Sequence, residues 1–405
     1  MICTAAVGCG HTRAALAVRE GILAREPDAQ IEFIETLDHA SPWFVRPYRD
    51  GYLTVISKAP ALAGLIYRTT DRIGRNDGRL GRAIERCGLR RFCELPTLLS
   101  ADLVLTTHFL CARLLGGLRT AGVLNAPVAV AVTDVHPHAV WLARGTDALL
   151  VASEISRDTA IRAGVPADRV VVTGIPIDLR FAQREEKVAA RAALNLPPPG
   201  TRPVVLVAGG GLGLGGIEGV VERFMRCGRG LHVAVICGRN AALRTALQPL
   251  ARDWRTAVAS QPSCSIEGFT THMPRWMAAA DLLLGKPGGL STAEACASAL
   301  PMVLLKPIPG QEEHNAHHLC EHGAAVLRIG DDAAAIEAAA LAFDTDRLAA
   351  MSTASARLGR PDAAMAAADA ALAMVQPSHR RDDAPWPGTN AARDEALLAL
   401  PCVIG

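Results

Sequence analysis

Short apolar, β-branched runs alternate with helical stretches along most of this 405-residue chain. Such alternation is typical of parallel α/β sheets, because parallel strands need a helical crossover between them. In the first half the predicted strands lie at 1–7, 31–35, 103–106, 128–133, 148–152 and 170–173. In the second half they lie at 204–208, 232–237, 265–268, 282–284, 302–304 and 324–327. The sequence therefore predicts an α/β protein with two doubly wound sheets of about six strands each.

A polar segment separates the two sets of strands. Residues 180–202 end in Pro197-Pro198-Pro199-Gly200, which indicates a helix and a loop that join two domains. We expect an N-terminal domain over 1–179, a linker over 180–202 and a C-terminal domain over 203–376. Residues 377–405 contain three prolines among polar residues up to Pro387 and are expected to form a loose tail.

Composition excludes several classes of protein. Hydrophobic residues make up 50% of the chain, charged residues 20%, and the net charge is +2, as in an ordinary globular protein with buried cores. The 11 cysteines include no Cys-x-x-Cys pair, which argues against a zinc ribbon and favours a reducing, cytoplasmic location. No apolar run approaches the ~18 residues that span a bilayer, so we expect any membrane contact to be peripheral.

Polar residues with clear chemistry follow two strands of the second half. A helix is expected to begin at Ser291 or Thr292, with Glu294 in its first turn, after the turn Gly285-Lys286-Pro287-Gly288-Gly289. A helix N-terminus binds anions, and a carboxylate accepts hydrogen bonds from two hydroxyls of a diol. Gln311 and Glu312, in the next loop, add groups that bind hydroxyls. These residues together predict a sugar-nucleotide site.

Glycine-rich turns follow the first strand of each half. Gly8-Cys9-Gly10-His11 places a histidine at a helix start, at the sheet edge where open α/β folds bind ligands. Residues 209–216 contain the G-x-G-x-x-G pattern of dinucleotide sites. Such sites end the next strand with an acidic residue, whereas here Cys237 is followed by Gly238-Arg239. Arginine suits a 2′-phosphate, so an NADP-dependent reductase stays an alternative.

Histidines occur in two clusters. Thr133-Asp134-Val135-His136-Pro137-His138 ends a predicted strand, and an extended backbone would direct its two histidines to opposite sides. The segment is interpreted either as part of the ligand site or as a capped turn with Trp141 in the core. One face of a later helix carries His314, His317, His318 and His322, a spacing that chelates metals, but no carboxylate or cysteine pattern completes a site. We expect no bound metal and no cofactor.

Positive charge is concentrated in one segment. Between Arg46 and Arg91 there are 11 Lys or Arg residues against 4 Asp or Glu. This basic segment adjoins apolar and aromatic residues, a combination that favours an anionic membrane interface. A solvated basic helix and nucleic acid are the alternatives, and the absence of a nucleic-acid motif argues against the second. The expected contact residues are Tyr52, Leu53, Ile56, Leu65, Arg68, Arg72, Arg75, Arg79 and Arg82.

The two loops at 285–295 and 307–315 resemble the donor site of the monogalactosyldiacylglycerol synthase and processive diacylglycerol glucosyltransferase family, relatives of the glycosyltransferase that makes lipid II. The histidine turn, the Thr133-Asp134 pair and the basic segment are also similar to that family. The resemblance implies two Rossmann-like domains of the GT-B type. It implies an inverting, metal-independent transfer of a hexose from a UDP-sugar to a lipid such as diacylglycerol, at the inner face of the membrane and without nucleic acid.

The resemblance also implies roles for individual residues. His11 would be the base, and Asp134 would orient either His11 or the acceptor. The UDP-sugar would contact Gly210, Gly211, Gly213, Phe269, Gly288, Gly289, Ser291, Thr292, Glu294, Gln311 and Glu312. A closely similar fold and nucleotide site serve UDP-N-acetylglucosamine 2-epimerases, so an isomerase is the first alternative. A non-catalytic nucleotide-binding membrane protein is another.

Overall fold

Two parallel six-stranded sheets form the framework of the protein in a computed structural model that describes residues 1–6, 9–51, 55, 59–73, 79–210, 216–226 and 229–375. The first sheet contains β1 Ile2–Thr4, β2 Phe33–Glu35, β3 Val104–Thr106, β4 Val128–Ala131, β5 Ala148–Val151 and β6 Val170–Val172. The second contains β7 Val204–Ala208, β8 His232–Ile236, β9 Ser263–Glu267, β10 Leu282–Gly285, β11 Met302–Leu304 and β12 Ala325–Leu327.

The strand orders are β2-β1-β3-β4-β5-β6 and β12-β11-β10-β7-β8-β9, and all pairs are parallel. This confirms the two predicted sheets of six strands. The central strands are mostly apolar because helices cover both faces of each sheet, and every residue of β4 is buried. Strand bounds differ from the prediction by a few residues, as at β9, which begins at Ser263.

Helices connect the strands. Those of the first half are α1 Cys9–Arg25, α2 Pro42–Val45, α3 Pro60–Ile73, α4 Arg79–Gly88, α5 Arg90–Cys93, α6 Pro96–Leu99, α7 Phe109–Thr120 and α8 Glu154–Arg162. Those of the second half are α9 Lys187–Ala193, α10 Ile217–Arg226, α11 Ala241–Leu247, α12 Met273–Ala279, α13 Gly289–Ala297, α14 Gln311–Glu321, α15 Asp331–Leu341, α16 Thr345–Leu358 and α17 Ala363–Leu372. A π-helical turn spans Arg46–Asp50, and 3₁₀ turns span Thr36–His39, Ala139–Trp141, Ala167–Arg169, Leu179–Ala182 and Gln248–Leu250.

The chain crosses between the two sheets twice. After the first crossing, α9 is fixed to the second half by the buried guanidinium of Arg191, which donates to the Ala279 carbonyl at 2.8 Å and pairs with Asp281. After the second crossing, α17 packs on α1, where Gly21 leaves room for the backbone of Ala364. The last described helix thus buries its apolar face against the first sheet. The sequence analysis grouped this helix with the C-terminal domain, residues 203–376.

Candidate active site

The residues that follow the carboxyl ends of the two sheets meet in one cleft. At the start of α13, Gly289 lies so close to the Thr133 carbonyl that a Cβ atom would overlap it. Asn315 of α14 is fully buried, and its Oδ1 accepts from the Val135 backbone N–H at 3.1 Å. Its Nδ2 donates to the Pro287 carbonyl at 3.0 Å. Asn315 therefore ties the loop after β4 to the loop after β10.

His11 lies in the first turn of α1, directly after β1. Its Nδ1 is 2.8 Å from the Thr107 carbonyl and 3.0 Å from the Thr133 hydroxyl. Because a carbonyl only accepts, Nδ1 carries the proton and the lone pair is on Nε2. Burial lowers the pKa of His11 to about 4, although the Thr107 hydrogen bond opposes this shift. At neutral pH the ring is thus an uncharged base with a fixed tautomer.

Asp134 is buried on the first-domain side of the cleft. Burial raises its pKa to about 6, the hydrogen bond from Asn315 lowers it, and the nearby Glu312 raises it. The ring nitrogen of His11 instead contacts Thr107 and Thr133. These two threonines therefore orient the His11 ring, and the role of Asp134 stays a prediction.

Glu294 lies on α13 with its side chain 2% exposed. Burial raises its pKa to about 7, Arg13 lowers it, and Asp178 raises it. The Arg13 Nη2 and Glu294 Oε1 atoms are 2.9 Å apart, a charge contact without the angles of a hydrogen bond. Arg13 belongs to α1, so this ion pair crosses the cleft two residues after His11.

The helix that bears Glu294 begins earlier than the sequence predicted. Gly288 is its N-cap, Gly289 is its first residue, and Glu294 consequently lies in the second turn. The prediction of a start at Ser291 or Thr292 was wrong because the two glycines were assigned wholly to the turn. The Thr292 hydroxyl donates back to the Gly288 and Gly289 carbonyls at 3.0 Å, and Ser291 is half-buried.

Gln311 and Glu312 begin α14, after β11. Gln311 is half-buried, whereas Glu312 is buried and burial raises its pKa. The Glu312 Oε2 accepts from the Ile308 backbone N–H at 2.6 Å, so one carboxylate oxygen holds its own loop in shape. The Oε1 atom lies toward Gly288, at 4.0 Å from the position that a Cβ would take there.

Two further residues predicted to bind the donor follow strands of the second sheet, Phe269 after the edge strand β9 and Gly210 after the interior strand β7. Phe269 is 53% exposed, and the Arg239 guanidinium lies 5.0 Å from its ring centroid. Gly210 has a φ of +71°, a conformation that favours glycine, and open space surrounds its Cβ position. Gly211 and Gly213 lie outside the described residues.

On the acceptor side, α3 has two different faces. Gly64 packs on Pro309, and Tyr67 packs on Gly310, both in the loop before α14. The other face exposes Leu62, Leu65 and Ile66, each between 47% and 53%. Arg68 and Arg82 are exposed. Tyr52, Leu53, Ile56 and Arg75, together with the side chains of Arg72 and Arg79, lie outside the described part of the chain.

The histidines after β4 converge, contrary to the prediction. His136 Nε2 is 3.1 Å and His138 Nε2 is 3.8 Å from the carboxylate of Asp71 on α3. The prediction assumed an extended backbone, but His138 N–H bonds to the His136 carbonyl at 2.9 Å and a 3₁₀ turn follows. Although burial raises the pKa of Asp71, the hydrogen bonds from His136 and Ala139 outweigh it and hold that pKa at about 2.

The histidines of α14 do not form one cluster. His314 stacks on His136 at 4.2 Å, His317 pairs with Glu321 at 3.0 Å, and His318 lies against His322 at 4.4 Å. Across the described residues, no group of three or more His, Cys, Asp or Glu side chains is arranged to hold a metal ion. Within the same residues, no helix is both long and apolar enough to cross a bilayer.

Sequence reasoning missed four residues of the cleft: Arg13, Asp71, Thr107 and Asn315. The signal for Thr107 was present, since Thr106-Thr107-His108 follows a strand of the predicted sheet. The signal for Asn315 was also present, because it belongs to the loop at 307–315 that was singled out for its amide and carboxylate side chains. Arg13 and Asp71 gave no comparable signal, because their partners belong to distant segments of the chain.

The fold has solved counterparts. MurG from Acinetobacter baumannii matches with a TM-score of 0.56 at 16% identity, over 92% of this chain and 99% of that one. UDP-GlcNAc 2-epimerase from Neisseria meningitidis matches with a TM-score of 0.55 at 11% identity, over 92% and 98%. Two Rossmann-like domains facing across a cleft, the GT-B fold class, are therefore confirmed.

Sequence comparison identifies the protein family that this chain resembles. The family model for monogalactosyldiacylglycerol (MGDG) synthase matches residues 11–177. A processive diacylglycerol beta-glucosyltransferase from Staphylococcus epidermidis is 33% identical over 201 residues, about half the length of each chain (49%). Another from Bacillus cereus is 26% identical over 382 residues, 94% of this chain and 95% of that one. The resemblance to this family is confirmed.

The state of His11 is open to direct measurement. A pKa of about 4, below the ordinary 6.5, means that the ring stays neutral from about pH 8 down to about pH 5. We expect ¹⁵N spectra of the protein to show the Nδ1-protonated tautomer over this whole range, with the signal assigned by its loss in His11→Gln. A titration midpoint near 6.5 would contradict the burial of the ring, and the other tautomer would contradict the hydrogen bond to Thr107.

Proposed function

We propose that this protein is an inverting, metal-independent glycosyltransferase that moves a hexose from a UDP-sugar to a lipid hydroxyl, such as that of diacylglycerol. The observation that carries this proposal is the neutral His11 imidazole, held at the cleft together with the buried carboxylates Glu294 and Glu312 of the other sheet. The sequence relatives support it, since they are named processive diacylglycerol beta-glucosyltransferases.

The proposed division of labour follows the two sheets. Residues 1–179 would bind the acceptor, residues 180–202 would link the domains, and residues 203–376 would bind the donor. Glu294 would accept from the ribose hydroxyls, Phe269 would cover the uracil, and the Gln311 and Glu312 side chains would bind the hexose. Because Glu312 Oε2 is already bonded to Ile308, its Oε1 is the oxygen assigned to the sugar.

The chemistry is a single displacement. His11 Nε2 takes the proton of the acceptor hydroxyl as its oxygen attacks the anomeric carbon, and the bond to the UDP oxygen breaks on the opposite face. Attack from that face inverts the anomeric configuration. The departing diphosphate would be stabilised by backbone N–H groups at the start of α13 and beside Gly210, where the positive end of the helix dipole replaces a divalent ion.

The acceptor side favours a lipid over the alternatives. Leu62, Leu65 and Ile66 form an exposed apolar face on α3, whose other face packs against the cleft loop at Pro309 and Gly310. An epimerase, which has no acceptor, has no use for this face. An NADP-dependent reductase has no use for Glu294 and Gln311. This face supports the proposal that the protein acts at the cytoplasmic face of a membrane, bound peripherally to anionic lipid.

The transfer reaction tests this proposal. Purified protein with lipid vesicles should release UDP from UDP-glucose, UDP-galactose or UDP-N-acetylglucosamine only when the vesicles contain diacylglycerol or a related lipid alcohol. His11→Ala should lower turnover by about 10² to 10⁴ and leave UDP affinity nearly unchanged, since a general base acts on the chemical step. His322→Ala, which changes the exposed histidine at the C-cap of α14, should behave as the parent.

Three outcomes would count against parts of the proposal. Isomerised UDP-N-acetylglucosamine without any acceptor would establish the epimerase alternative. Activity that EDTA removes and magnesium restores would refute the metal-free mechanism. A His11→Ala protein with most of its turnover would assign the base to Asp134 or His136.

Membrane binding is expected to depend on the basic segment. Each Arg near an anionic surface contributes about 1 kcal/mol, so Arg68→Gln with Arg82→Gln should weaken binding to phosphatidylglycerol vesicles by about 30-fold at low salt. Sodium chloride should reduce binding of the parent by screening. Flotation of protein with vesicles at several salt concentrations measures both effects.

The matched control replaces two exposed arginines outside that segment, Arg162 and Arg357, by Gln. This variant carries the same change of net charge and should float as the parent does. If both double variants float equally well at low salt, the basic segment is merely solvated and the peripheral-membrane proposal is wrong.

A further inference from the structure

Arg13 extends from the acceptor domain to a carboxylate of the donor domain. It lies two residues after His11 on α1, and its Nη2 is 2.9 Å from Glu294 Oε1 on α13. The Arg13 side chain is 37% exposed, so it lines the cleft, whereas the Glu294 side chain is almost fully buried. Nearby, Gly10 of α1 faces Leu290 of α13, with 3.9 Å between its Cβ position and the Leu290 Cβ.

Glu294 needs such a cation. A buried carboxylate favours its protonated form unless it is paired, because ionisation away from water is costly. The charged groups that act on it are Arg13, which favours the ionised form, and Asp178, which favours protonation together with burial. The Arg13 contact uses Oε1, which leaves Oε2 and its lone pairs for a diol.

We propose that Arg13 is a positioning residue for the donor: through its contact with Glu294 across the cleft, it favours the ionised form of that carboxylate and orients it toward the ribose hydroxyls. This inference rests on the proposed ribose-binding role of Glu294. Its consequence is that the acceptor domain completes the donor site, so that UDP binds fully only when the two domains are closed on each other.

Calorimetric titration with UDP tests the inference through its pH dependence. Removal of the Arg13 charge raises the pKa of Glu294 above its present value of about 7, so a higher pH is needed to ionise it. For a rise of about one unit, Arg13→Gln should bind UDP about five- to tenfold more weakly between about pH 6 and 7, and nearly as the parent at about pH 9. The titration of UDP itself affects the parent and the variant equally, so it cancels in the comparison.

Matched variants define the controls. Arg13→Lys keeps the charge and should recover most of the affinity, whereas Arg19→Gln, on an exposed position of the same helix, should bind as the parent. The penalty of Arg13→Gln should also shrink with 2′-deoxy-UDP, which lacks one of the hydroxyls that Glu294 would bind. Thermal melting of each variant reports whether it is folded.

Failure of this inference is distinguishable from failure of the proposed function. If Glu294→Gln and 2′-deoxy-UDP both weaken binding while Arg13→Gln binds as the parent at every pH, the role of Arg13 is overturned and the donor site stands. If Glu294→Gln binds UDP as tightly as the parent, and the parent binds 2′-deoxy-UDP as tightly as UDP, then Glu294 does not bind ribose. In that case the ribose-binding role of Glu294 and the positioning role of Arg13 both fail. Tighter binding by Arg13→Gln would show that Arg13 competes with the ribose.

Discussion

The contact between the loop after β4 and the start of α13 is the constraint on which the rest of the site depends. Gly289 allows the Thr133 carbonyl to approach the donor helix, since any side chain there would overlap it. Asn315 fixes the same approach by bonding to Val135 on one side and Pro287 on the other. Through this contact, groups from two separate sheets share one small volume at the cleft.

Electrostatics in that volume separates the roles of the groups. Burial makes His11 a neutral base and raises the pKa values of Asp134 and Glu294 into the range of about 6 to 7. These values already include the effect of a partner from the other domain on each acid. Asn315 acts on Asp134 and Arg13 acts on Glu294, and each partner favours the ionised form.

The sequence predicted the two sheets well because each strand is a local apolar run bounded by turn residues. It singled out His11 and Glu294 because each lies near the start of a helix that follows a strand, and their roles stay predictions. It gave no signal where the answer depends on another segment: the convergence of His136 and His138 needs Asp71, and the packing of α17 on α1 needs Gly21. Propensity also could not decide whether Gly289 ends a turn or begins a helix.

The central claim is a direct displacement for which His11 accepts the acceptor proton, and the configuration of the product tests it most directly. UDP-glucose carries an α-linked sugar, so a single displacement yields a β-linked glycolipid. Proton NMR of the product formed from UDP-glucose and diacylglycerol vesicles distinguishes the two anomers by the coupling of the anomeric proton. The account predicts the β-anomer alone; an α-linked product would contradict the displacement and the role assigned to His11.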